Sequence, residues 1–129
     1  MQNINVGDIC ISVFEFYDET RKKMSYKTRP VLIIGKPDDD DLTVLPISTI
    51  RKKRYVNRKY DIFIDSNLHA ELGLNKDCYI RTNKQSYVHR QLITKVISSL
   101  KHHDPAMFYD ALMRTRSYST RIISDGHNY

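Results

Sequence analysis

The 129-residue chain has no tryptophan, four glycines, four prolines and two cysteines. So little glycine and proline excludes a collagen-like or low-complexity chain. Cys10 and Cys78 sit in apolar stretches with no CxxC and no His/Cys cluster around either. That excludes a disulfide-dense scaffold and gives no zinc-site spacing, so they read as buried thiols acting as small hydrophobes. No apolar run approaches the ~20 residues needed to cross a bilayer. Met1-Gln2-Asn3-Ile4-Asn5 has neither the basic start nor the apolar core of a secretory signal. The expected location is therefore cytoplasmic, with no membrane partner. Familiar catalytic signatures are missing as well: there is no GxSxG, HExxH, Walker A or paired-acid motif. His69, His89, His102, His103 and His127 make no spaced metal or acid–base pair. They read as surface residues, His89 being the most interesting because it follows a strand. No metal or cofactor is expected.

What is present fits an ordinary globular protein, with 40% hydrophobic and 28% charged residues. The length suits one domain over 1–129. The formal charge of +6 and pI near 9.3 favour a polyanionic or acidic partner without determining the fold.

Along the chain, Gly7 to Phe16 is β-branched and aromatic and predicts a strand. The polar, basic stretch Asp18 to Thr28 reads as a loop. Pro30 opens the short apolar run VLIIG, a buried strand, and Lys36 to Asp41 reads as a turn into the next strand, Leu42 to Ile47. The aspartates at 38–41 read as water-facing turn residues. Further strands are expected at 61–64, 78–81 and 87–88, the last two being two strands or one bent one, and a helical turn at 68–74. Residues 91–100 remain ambiguous between helix and strand. Asp104-Pro105 predicts a helix start, and Met107, Phe108, Ala111 and Leu112 give that helix one apolar face as far as about Arg114. Residues 117–129 read as a flexible tail. Short strands followed by one helix, with no βαβ repeat, predict a mainly β fold: a small antiparallel barrel with a C-terminal helix packed on it.

Two segments carry clustered cations. Arg51, Lys52, Lys53, Arg54, Arg58 and Lys59 fall within nine residues, interleaved with Tyr55 and Tyr60. Lys22, Lys23 and Lys27, with Arg21 and Tyr26, form the other. Cations that follow phosphates and rings that stack on bases suit single-stranded nucleic acid. A solvated basic loop is the equal alternative. In a compact barrel both segments could border one groove.

Arg29 precedes one buried strand, and Ser48-Thr49 ends its neighbour. Pairing 42–47 with 31–35 would bring these positions to the same end of a hairpin. RNA cleavage needs neither metal nor histidine, because the RNA's own 2′-hydroxyl can attack the adjacent phosphate. The protein must then orient that hydroxyl and neutralise the phosphorane. An arginine and a hydroxyl on rigid strands supply part of this. On spacing alone, a surface arginine and strand-end hydroxyls are the favoured reading.

Gly7-Asp8-Ile9 opening a strand, Arg29-Pro30 before an apolar strand, Pro46-Ile47-Ser48-Thr49 ending the next, and the later block Cys78-Tyr79-Ile80-Arg81-Thr82-Asn83-Lys84 occur in an order and spacing that resemble the MazF/PemK toxin family over about residues 5–115. The resemblance implies an SH3-like barrel, usually homodimeric, that cleaves single-stranded RNA and is held inactive by a cognate acidic antitoxin. It implies cleavage to a 2′,3′-cyclic phosphate and a 5′-hydroxyl. It gives Arg29 the role of stabilising the phosphorane or moving a proton. The family's hydroxyl falls on Ser48, with Thr49 as the neighbouring candidate. A glutamine common in the later strand of relatives falls on Lys84 or Gln85. The competing expectations are a gyrase poison of the CcdB kind, which shares the barrel and is not an enzyme, and an RNA-binding barrel without chemistry.

Overall fold

The computed structural model describes residues 3–123. Seven strands make one antiparallel sheet: β1 (Asp8–Asp18), β2 (Lys23–Gly35), β3 (Asp41–Ser48), β4 (Asp61–Ile64), β5 (Cys78–Arg81), β6 (Ser86–His89) and β7 (Ile93–Ser99). The order is β4-β5-β3-β2-β1-β7, with β6 also pairing β3. Register shifts between β1 and β7 and between β2 and β3 bend the sheet, as bulges do, and it curls into a half-barrel. A short helix, α1 (Leu100–His103), and a long one, α2 (Pro105–Ile122), complete the fold.

Strand alternation divides the apolar residues between the two faces. Leu32, Leu45, Ile47 and Ile80 join Leu100, Phe108 and Ala111 in the core under the helices. Val31, Ile33, Val44 and Leu42 pack with Cys10 and Val88 on the other face. Because both faces are covered, VLIIG is apolar throughout instead of alternating. Gly7 is held at φ +97°, donating to the Ile33 carbonyl and accepting from the Leu100 and Lys101 amides. A Cβ there would collide with the Lys101 side chain.

Three expectations about elements change. Residues 23–28 are not loop: β2 begins at Lys23, pairing Tyr17 with Met24 and Phe14 with Lys27. Cross-strand contacts, including Lys27 Nζ 4.5 Å from the centre of the Phe16 ring, offset the polar composition. The ambiguous stretch becomes a 3₁₀ turn at Arg90–Leu92 and then β7. The helix capped by Asp104, whose Oδ1 accepts from the Met107 amide at 3.0 Å, continues through Ile122. The part of the expected tail over 117–122 is therefore helical, and residues 124–129 lie outside the described residues. Its extra turns are held from the side: Tyr118 meets Tyr60 edge-on at 4.9 Å, and the Arg121 guanidinium lies 5.4 Å from the Tyr60 ring centre.

Candidate active site

Val31 on β2 is paired with Pro46 on β3, and that antiparallel register, continued toward the sheet end, sets Arg29 opposite Ser48. Arg29 Nη1 donates to Ser48 Oγ at 3.3 Å. Both strands lie inside the sheet, β2 between β1 and β3, and β3 between β2 and β5. Arg29 is paired with Ser12 of β1 and Ser48 with Tyr79 of β5, so each is held by the neighbouring strand on its outer side. The hydroxyl that accepts from the guanidinium keeps its own O–H to donate.

Two cavities of about 500 and 550 Å³ open beside this pair. Lys27, Arg29 and Ser48 line both and form the wall between them. The first cavity has an apolar floor that includes Ile47, Leu74, Cys78 and Ile97, with Thr49, Asn75 and Lys76 at its polar side. The second is bounded by Phe14, Pro46 and the β5–β6 connection with Asn83, Lys84 and Gln85. Ser48 and Thr49 are therefore not equivalent: Ser48 bonds Arg29 and touches both cavities, whereas Thr49 touches the first alone. Lys84 and Gln85 both line the second cavity, so the two candidates for one position are together at the site.

The basic segments are placed differently. Arg51, Lys52, Lys53, Arg54 and Tyr55 follow Ser48 after Thr49 and Ile50 and are exposed, with a 3₁₀ turn at Lys53–Tyr55 and the Arg54 guanidinium 5.0 Å from the Tyr55 ring centre. Lys22 and Lys23 lie at the β1–β2 hairpin, Lys22 at φ +53°, and Tyr26 is exposed on β2. Of the two clusters, Lys27 is the member that lines these two cavities. Tyr60 is no base-stacking ring, being 1% exposed in the core. His89 caps the turn after β6 by accepting from the Gln91 amide and lines neither cavity, while His69 Nδ1 and His103 Nε2 contact each other at 3.3 Å. Among the described residues no group of three His, Cys, Asp or Glu side chains is placed to hold a metal ion.

Electrostatics single out Lys27. Burial first, and then the neighbouring Arg29 charge, pull its pKa below the ordinary lysine value. The thiol of Cys78 in the first cavity is pushed up to about 11, first by burial and then by Asp77, so it is a wall and not a nucleophile. Arg81, at the second cavity, donates through Nε to Asp61 Oδ1 at 2.7 Å, and Asp61 also accepts from the Asn57 amide at 2.8 Å. This ion pair, with the Asp61 side chain fully buried, fixes the end of β5 to the start of β4. Asn75, Lys76, Arg81 and Asn83 were not legible as site residues, since loop and strand-end positions carry no motif of their own. The one available signal was Asp61, an acid opening an apolar strand that needs a cation nearby.

Comparisons with known proteins bear on the family and the fold. A family model described as PemK-like, MazF-like toxin of type II toxin–antitoxin system matches residues 6–115. The fold is similar to that of Mycobacterium tuberculosis toxin MazF-mt6, at 20% identity and a TM-score of 0.59, over 91% of this chain and 99% of that one. No curated protein matches the sequence.

Proposed function

The chain belongs to the PemK-like, MazF-like toxin family of type II toxin–antitoxin systems, and from that premise we propose that it is a metal-independent endoribonuclease that cleaves single-stranded RNA, messenger RNA included. The observation that carries the reading is the Arg29–Ser48 hydrogen bond on the wall shared by two cavities. A phosphodiester seated on that wall meets a planar, permanently charged guanidinium and a hydroxyl donor at once. The nucleotides on either side of it have a cavity each. The attacking 2′-hydroxyl and the phosphorus belong to the same strand, so holding the backbone bent across the wall supplies much of the rate by orientation alone. Arg29 neutralises the charge that builds on the phosphorane, and Ser48 positions the non-bridging oxygen. The products are a 2′,3′-cyclic phosphate and a 5′-hydroxyl.

The exposed cations at 22–23 and 51–54, with Tyr26 and Tyr55, guide the RNA toward the wall and do not touch the reacting phosphate. Lys84 or Gln85 contacts the nucleotide in the second cavity. A cognate acidic antitoxin neutralises the toxin by covering this basic surface. The enzyme acts in the cytoplasm as a homodimer. The test is incubation of the purified protein with mixed-sequence single-stranded RNA in EDTA, with mapping of the product ends. Discrete cuts bearing cyclic-phosphate ends are expected. Intact RNA, or activity restored only by a divalent ion, contradicts the proposal.

A further inference from the structure

Three residues form the wall between the cavities, and the reading above gives roles to two of them. The third is Lys27. Alternation along β2 puts its side chain on the face that carries Arg29, and the pairing across β1 gives it Phe14 as partner. The neighbouring Phe16 ring holds its ammonium at 4.5 Å from the ring centre.

Cleavage by the 2′-hydroxyl leaves a poor leaving group, an alkoxide, unless a proton reaches the 5′-oxygen. A guanidinium holds its protons too tightly to serve readily as an acid, and an alcohol hydroxyl holds its proton more tightly still. The other charged residues at the cavities are Lys76 from the segment after Gly73, Arg81 from β5, Lys84 from the β5–β6 connection, and Glu15 from β1. Arg81 is engaged by Asp61. Glu15 is paired with Tyr26, which sets it on the opposite strand face from Lys27 and Arg29. Lys27 is the titratable group that shares the wall with Arg29 and Ser48.

We propose that Lys27 is the general acid of the cleavage step, giving its ammonium proton to the departing 5′-oxygen. The proposal rests on the ribonuclease reading. In the step, the 2′-oxygen bonds to phosphorus and its proton passes to solvent water. The bond from phosphorus to the 5′-oxygen breaks, its electron pair stays on that oxygen, and the oxygen takes the Lys27 proton. Neutral Lys27 then regains a proton from water. Its partial burial, and then its crowding by Arg29, make the ammonium more acidic than an exposed lysine. The ammonium is the form that carries a transferable proton, so the role assigned is acid and not base.

The experiment compares two RNAs cut at the position mapped with wild type. One is natural, and the other carries sulfur in place of the bridging 5′-oxygen, a leaving group that departs without protonation. Lys27→Arg preserves the charge and removes the transferable proton. It is expected to slow single-turnover cleavage of the natural RNA by about 100-fold and to cut the sulfur RNA at the wild-type rate. Its profile should also lack the loss of rate at alkaline pH that deprotonation of Lys27 gives the wild type. A Lys27→Arg enzyme that cuts natural RNA normally, or that is slowed equally on both RNAs, overturns the assignment. Wild type that cuts neither RNA overturns the ribonuclease reading and this role together.

Discussion

Ser48 and Thr49 are adjacent in sequence and opposite in consequence. β3 ends at Ser48, which bonds Arg29, while Thr49 lies beyond the strand and lines the first cavity alone. Removing a hydrogen bond to a charged group costs about 1.5–3 kcal/mol when the partner is left unpaired. Ser48→Ala should therefore slow cleavage by roughly 10- to 100-fold, while Thr49→Ala stays near the wild-type rate. Single-turnover kinetics check this, and the reverse order would move the working hydroxyl to Thr49. The sequence placed both hydroxyls at the right end of the hairpin; the choice between them needed the register. A second residue-scale consequence concerns the two thiols. Burial raises the Cys10 thiol to about 12, with Asp8 adding to it, and Cys78 to about 11, from the ordinary value of 9.0. The folded state thus holds these protons more tightly than the unfolded chain. The stability this contributes is fully present below pH 9 and is lost as pH rises from there through 11 and 12. Urea midpoints at pH 8 and 10.5 should fall less in a Cys10→Ala/Cys78→Ala variant than in wild type, and equal falls would refute it.

At the scale of elements, the site depends on how β4 and β5 are joined. Asp61 opens β4 with a fully buried carboxylate held by Arg81 and the Asn57 amide. Arg114 of α2 adds donors to the Lys59 and Asp61 carbonyls at 3.4 Å each. Losing one partner of a buried ion pair strands the other, so Asp61→Ala should cost about 3 kcal/mol and lower the thermal midpoint. It should also weaken RNA binding, because Arg81 lines the second cavity. An unchanged melting curve would show that the pair carries no such load. The strands from 31 to 47 and the Asp104 cap were legible because apolar runs, turn residues and a capping pair are local signals. The strand character of 23–28 was not, since DETRKKMSYKT is polar and only pairing with β1 makes it a strand. The length of α2 was missed for a similar reason: Ser117 to Ile122 is held by contacts with Tyr60, distant in sequence.

For the whole molecule, the charge of +6 is less informative than its placement. The exposed basic segments lie outside the cavities, while Lys27, Arg29, Lys76 and Lys84 line them. On the proposed function, a polyanion is drawn to a surface whose focus is the end of the β2–β3 pair. The fold class followed from short strands and a terminal helix without a βαβ repeat. The curl and the two apolar faces followed from bulges and long-range pairing, which no short window of sequence contains. Family membership gives the reading its direction, and the Arg29–Ser48 wall gives it a location. The measurement that tests this most directly sets Arg29→Ala beside wild type on single-stranded RNA in EDTA, with a melting curve of each protein. The account predicts cyclic-phosphate cuts by wild type, a loss of about 10³-fold in the variant, and nearly equal melting curves, because Arg29 is partly buried and makes no ion pair among the described residues. A folded Arg29→Ala protein that cuts as fast as wild type would contradict it.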